Sequence, residues 1–171
     1  MLIAVDGYNF IKQSLELRAL EQVELQKARE GLIEMLAAYK RIKGHSITVV
    51  FDGAHAGRSP GPQGRSKGID VVFSRPGEKA DDILKRMAAE KREGLLVVTS
   101  DRDVADFAAK KGCGVIPVAE FEARVEIARY DSIKGTRSED RGEDPRRDDK
   151  RGPSRRLSKS RRRTLAAAKK L

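Results

Sequence analysis

With 171 residues the chain has room for one domain with a substantial core and not for two. Apolar residues make up 39% of it and aromatics 5%, with no Trp, so the core has to be built from aliphatic side chains. The formal net charge of +10 points to a polyanionic partner, nucleic acid before anionic membrane. A single cysteine, Cys113, rules out an internal disulfide and a Cys-only zinc site, and His45 and His55 are too few for a histidine-rich metal site. No apolar run approaches the roughly 20 residues that span a bilayer. The opening MLIAVDGYNF has no basic stretch, and its apolar run breaks at Asp6. No secretory signal and a cytoplasmic location are therefore expected.

In chain order, short apolar runs at Leu2–Val5, Ile47–Phe51, Ile69–Ser74, Leu95–Thr99 and Gly114–Val118 read as strands. They are continuous and not alternating, as strands covered on both faces of a parallel sheet should be. Helical spacing lies between them. Leu25, Ala28, Leu32, Leu36 and Tyr39 form one stripe, ending near Lys43-Gly44. Ala80, Ile83, Leu84, Met87 and Ala88 form a second, closed by Gly94, and Val104, Phe107 and Ala108 a short third that stops at Gly112. Residues Phe121 to Tyr130 read as a last helix. The alternation predicts a three-layer α/β domain with right-handed crossovers.

Two segments break the alternation. Residues 53–68 hold five Gly, two Pro, Arg58, Arg65 and Lys67 and no acid, the profile of a long functional loop. Beyond Lys134 apolar periodicity stops and Arg, Asp, Ser and Gly dominate, so residues 1–134 are expected to form the domain and 135–171 a disordered basic tail. Residues 131–171 carry 15 Lys/Arg against 7 Asp/Glu, and from Arg151 onward nine bases face no acid. The last residues, 161–171, are candidates for a helix that forms on a partner.

The acids fall at strand ends. Asp6 follows the first strand, Asp52 the second and Asp101 the fourth, while Asp81 and Asp82 open the helix after the third, and Asp103 sits in the first turn after Asp101. In a parallel sheet these positions share one edge, where open α/β sheets bind ligands. Several carboxylates so placed raise each other's pKa and are tolerable around a divalent cation. Oxygen-only ligands favour Mg²⁺ or Mn²⁺ over zinc, ions suited to phosphodiester cleavage. Asp and Ser are also favoured helix caps, which is a sufficient account of Asp103 and of one of the Asp81/Asp82 pair. On the helical stripe Asp81 lies near the apolar edge and Asp82 further towards solvent. Asp52, in Phe51-Asp52-Gly53, also reads as a plain turn start.

Four motifs in order, LIAVDGYNFI, ITVVFDG, KADDILKRM and LLVVTSDRDVADFA, resemble the NYN-domain family, and more narrowly the YacP-type branch of these PIN-like nucleases. The likeness covers about residues 1–130. It implies a PIN-like, Rossmann-like sheet with the five strands in the order 3-2-1-4-5. It also implies metal-dependent endonucleolytic cleavage of RNA, in a bacterial role tied to ribosomes and messenger RNA. By motif it makes Asp6, Asp81, Asp82 and Asp101 catalytic metal ligands with Asp103 as a further ligand, and it puts Asn9 and Ser100 beside metal or phosphate. Many PIN nucleases carry an acid on the helix after the first strand. Here Glu30 and Glu34 are both candidates and no motif chooses between them.

Arg58, Arg65 and Lys67 are candidates to clamp substrate phosphates beside the acidic edge, or simply to solubilise a glycine-rich loop. His55 is a weak general-base candidate, Tyr8 reads as rim packing more than a base-stacking platform, and Cys113 as buried and inert. A non-catalytic RNA- or ribosome-binding module gains nothing from negative charge beside phosphates. Asp101-x-Asp103 is compatible with a Toprim-like pair, but Asp6 is not the glutamate such domains need. Tyr8 removes the second Asp required by haloacid-type phosphatases. The leading expectation is a cytoplasmic endoribonuclease with RNA, and the ribosome, as partners and no membrane.

Overall fold

The apolar runs pair into one six-stranded sheet in the computed structural model, which describes residues 1–53 and 63–138. The chain runs through β1 (Leu2–Asp6), α1 (Gly7–Gln13), α2 (Leu15–Val23), α3 (Leu25–Lys43), β2 (Ser46–Phe51), β3 (Gln63–Ser66) and β4 (Ile69–Phe73). It continues through α4 (Ala80–Lys91), a 3₁₀ turn (Arg92–Gly94), β5 (Leu95–Val98), α5 (Arg102–Lys110), β6 (Gly114–Ile116) and α6 (Val118–Ser138). The sheet order is β3-β4-β2-β1-β5-β6. All neighbours are parallel except β3, which runs antiparallel to β4 at the edge.

Alternation within each buried strand assigns the faces. Ile3, Val5, Ile47, Val49, Phe51, Leu96 and Val98 pack with α1, α2, α3 and α6. Ala4, Val50, Leu95 and Val97 point the other way, under α4 and α5. Both faces are therefore apolar, and the strands read as unbroken Val/Ile/Leu runs for that reason. Among the described residues no helix is long and apolar enough to cross a membrane.

The five expected strands take the implied order 3-2-1-4-5, and β3 adds a sixth. It lies in the segment read as loop, and a two-residue turn, Lys67-Gly68, joins it to β4 with φ values of 50° and 83°. Two left-handed residues match the twist of a tight hairpin, and with Lys at the first of them the turn lacked the usual Asn-Gly signature. Two short helices, α1 and α2, were also unforeseen. Their caps are local: Asp6 Oδ1 accepts from the Asn9 N–H (3.2 Å) and Ser14 Oγ from that of Leu17 (3.4 Å). Such caps stabilise by about 1 kcal/mol each and start helices too short to show periodicity.

The stripe on α3 behaves as read and ends on Gly44 at φ 71°, a left-handed cap. By contrast α6 starts three residues before Phe121 and runs to Ser138, past the expected end at Tyr130; its buried face is carried by Phe121, Val125 and Ala128. Arg58, His55 and most of the segment 135–171 lie outside the described residues.

Candidate active site

Parallel pairing brings the ends of β1, β2 and β5 to one edge. Val5 is level with Val98, and Asp6 with Val50. Asp6 is only 7% exposed. Its Oδ1 caps α1, and its Oδ2 accepts a hydrogen bond from the Thr99 hydroxyl (3.2 Å). Thr99 is itself buried, and its Oγ1 accepts the Asp101 N–H (3.1 Å). One hydroxyl thus couples the end of β1 to the start of α5. Asp101 caps α5, with Oδ1 accepting from the N–H groups of Asp103 (2.8 Å) and Val104 (3.1 Å). Asp81, half-buried in the first turn of α4, completes the group.

Electrostatics mark these three as one unit. Burial raises the Asp6 carboxyl from 3.8 to about 6, its two hydrogen bonds oppose the rise, and the charges of Asp81 and Asp101 add to it. Asp81 is also raised, first by burial and then by Asp101, with Lys85 pulling the other way. A buried carboxyl facing two more, with no cation in its own hydrogen bonds, is disfavoured in its charged form.

The other sequence candidates are engaged elsewhere. Asp82 is exposed and its Oδ2 accepts from the Lys79 N–H (3.1 Å), a helix cap. The carboxylate of Asp103 is held by the Lys85 ammonium in an ion pair, which lowers its pKa. Asp52 follows β2 close enough to Tyr8 for its charge to be felt there. Neither helix acid joins the edge: Glu30 accepts from Gln26 Nε2 (2.9 Å) on an exposed face, and Glu34 is ion-paired with Lys67. Helix α3 instead sends Arg29 inward, 5% exposed, where it donates to the Tyr8 hydroxyl and lies 5.4–5.8 Å from the rings of Tyr8, Phe51 and Phe73. Tyr8 is rim packing, its ring 5.1 Å from Phe51, and Cys113 is buried, its Sγ donating to the Ala88 carbonyl.

Asn9 and Ser100 do come together. Asn9 Oδ1 accepts from the Ser100 N–H (2.9 Å) and from Gln13 Nε2 (2.8 Å), while Ser100 Oγ donates to Gln13 Oε1 (2.8 Å) and accepts from the Val118 N–H (3.2 Å). Gln13 and Thr99 are site residues that the sequence reading missed. Thr99 stood inside the TSD motif, and Gln13 lies one helical turn from Asn9 on a helix that was not foreseen.

Arg65 and Lys67 do not stand beside the acids. Phe73 is level with Phe51 at the carboxylate edge, whereas Arg65 is level with Asp70, three residues back, or roughly 10 Å. Arg65 pairs there with Asp70 (3.6 Å) and Lys67 with Glu34 in the turn beyond. The antiparallel hairpin carries both towards the opposite edge. The bases whose charge reaches Asp81 are instead Lys85 on α4 and Lys79 just before it.

The donors at the edge are all oxygens, which fits Mg²⁺ or Mn²⁺. Among the described residues no three acids, histidines or cysteines are drawn together tightly enough to hold an ion as they stand.

Comparison with known proteins identifies the family and the fold. The family model for the YacP-like NYN domain matches residues 3–170. The chain belongs to the YacP-like NYN family. This places it among nuclease-like, RNA-related domains. Uncharacterized protein YacP of Bacillus subtilis (strain 168) is 31% identical over 87 residues, and the match spans about half of each chain, 51% of both. The crystal structure of Rae1 (YacP) from Bacillus subtilis superposes with a TM-score of 0.65 at 26% identity, covering 81% of this chain and 80% of that one. A single-substitution variant of the same protein gives a TM-score of 0.67 at 24% identity, covering 81% and 83%.

Proposed function

We propose that this YacP-like NYN protein is a metal-dependent endoribonuclease that cuts messenger RNA in association with the ribosome. The observation that carries the reading is Asp6, whose charged form is disfavoured first by burial and further by the charges of Asp81 and Asp101, a cost that a bound cation would relieve. Asp6, Asp81 and Asp101 would hold Mg²⁺ or Mn²⁺, which supplies activation of water and neutralisation of charge developing on the phosphate. The chain's own contribution is positional. Thr99 fixes one Asp6 oxygen and the start of α5 together, and the Asn9–Gln13–Ser100 network ties α1 to the β5–α5 junction. Asp82, which is exposed, and Asp103, which is held by Lys85, stay outside this set.

The competing reading is a non-catalytic RNA- or ribosome-binding module, favoured by the looseness of the acid group. Incubating the purified chain with RNA and Mn²⁺ or Mg²⁺, beside a chelator control and Asp6→Asn, separates them. Metal-dependent fragments from wild type alone are expected. Equal inertness of both proteins, each still binding RNA, would leave only the binding module.

A further inference from the structure

A second feature of the same edge lies across α4 from the acids. A cavity of about 830 Å³ opens between the β4–α4 connection and the flank of α4, within the range typical of ligand sites. Its lining includes Phe73 at the end of β4, Arg75, Pro76 and Glu78 in the connection, and Ile83 and Arg86 on the helix. The floor is apolar and belongs to the α4 face of the sheet: Val72, at the end of β4, packs with the buried Ile83, while the Phe73 ring turns to the other face against Phe51 and Arg29. The rim is charged and pre-set: Glu78 accepts from Arg86 (2.7 Å) with one oxygen and from the Arg75 N–H (3.3 Å) with the other. That hold aims Arg86 while leaving its side chain 56% exposed.

We infer that this groove is a binding subsite for one nucleotide of an RNA single strand, its base over the apolar surface of Val72, Pro76 and Ile83 and its phosphate against Arg75 and Arg86. The inference rests on the RNA-cleaving reading above. Single strands are recognised by splayed bases on apolar and aromatic surfaces and by cations on their phosphates. A site with an apolar floor and two arginines at the rim matches both halves of such a ligand. Position agrees as well. Asp81 and Ile83 are two residues apart on α4 and so project about 200° apart around a helix roughly 10–12 Å wide. A strand crossing the start of α4 therefore meets the carboxylates on one flank and the groove on the other. This groove would hold the strand beside the cut.

The test measures binding of a fluorescein-labelled single-stranded RNA by anisotropy across salt concentrations, in the uncut Asp6→Asn background. Removing the two arginines that neutralise this phosphate, with Arg75→Ala/Arg86→Ala, should weaken binding at low salt about tenfold and flatten the log–log salt slope by about 0.7. Arg75→Lys/Arg86→Lys, which keeps both charges, should restore the slope, a recovery that a folding defect would not give. An affinity within twofold of the parent with an unchanged slope overturns the subsite. The two readings separate cleanly. A wild type that never cuts RNA, while the double variant still loses slope, removes the nuclease and keeps the subsite. A wild type that cuts, with a double variant of unchanged KM and salt slope, does the reverse.

Discussion

Replacing Asp6 by Asn should abolish cleavage and yet make the protein more stable. Asp6 titrates at about 6 in the fold instead of 3.8. Each tenfold change in proton affinity is worth about 1.4 kcal/mol, so keeping Asp6 ionised in the fold at about pH 7.5 costs roughly 3 kcal/mol. The sign follows from the raised value. The contribution is neutral below the unfolded pKa, and stability falls as pH rises from about 4 through about 6. Asn removes this cost but disturbs the hydrogen bond from Thr99, worth about 1 kcal/mol. The net gain is then about 2 kcal/mol near pH 7.5. For a chain of this size that is a rise in Tm on the order of 4–8 °C. At about pH 4.5 the electrostatic cost is only about 1 kcal/mol, so the gain should vanish. Thermal unfolding by circular dichroism, in a chelator, reads both values. An Asp6→Asn protein less stable than wild type near neutrality, or one with the same difference at both pH values, would refute the account of Asp6 as a strained carboxylate. Adding Mn²⁺ should then raise the Tm of wild type and leave the variant unmoved.

Further expectations follow from neighbouring residues. Metal-dependent cleavage should fall steeply below about pH 6, where Asp6 takes up its proton, and a flat pH–rate profile from about 5 to 8 would contradict this. Asp101→Ala should lose both cleavage and the α5 cap, costing about 1 kcal/mol in urea unfolding, whereas Asp101→Asn should lose cleavage alone. Asp103→Asn removes only an exposed ion pair with Lys85, so cleavage should stay within about fivefold of wild type. Gly7→Ala would put a Cβ 2.3 Å from Phe51 Cε1, and overpacking of this kind costs about 1–3 kcal/mol, visible as a lower urea midpoint. Deleting residues 139–171, with their excess of Lys and Arg, should weaken RNA binding and flatten its salt dependence.

The sequence by itself determined a sheet covered on both faces and the edge where the acids meet; the order of its strands came from the resemblance of the motifs to the NYN family. Short unbroken apolar runs alternating with helical stripes read as strands covered on both faces, and the aspartates that follow the first, second and fourth runs then fall on one side of the sheet. It could not tell which acids act together. Asp82 and Asp81 are adjacent in sequence, yet helix geometry turns one into a cap and the other towards Asp101. Asp103 repeats the Asp-x-Asp spacing, but Lys85, eighteen residues away on another helix, decides its partner. The basic residues were misplaced for a similar reason. Arg65 and Lys67 follow the acidic edge in sequence, and a hairpin that lacks the usual turn residues carries them away from it. Burial is likewise a tertiary quantity: the Asp6 carboxyl is raised because helices and strands distant in sequence exclude water around it, and no local pattern records that.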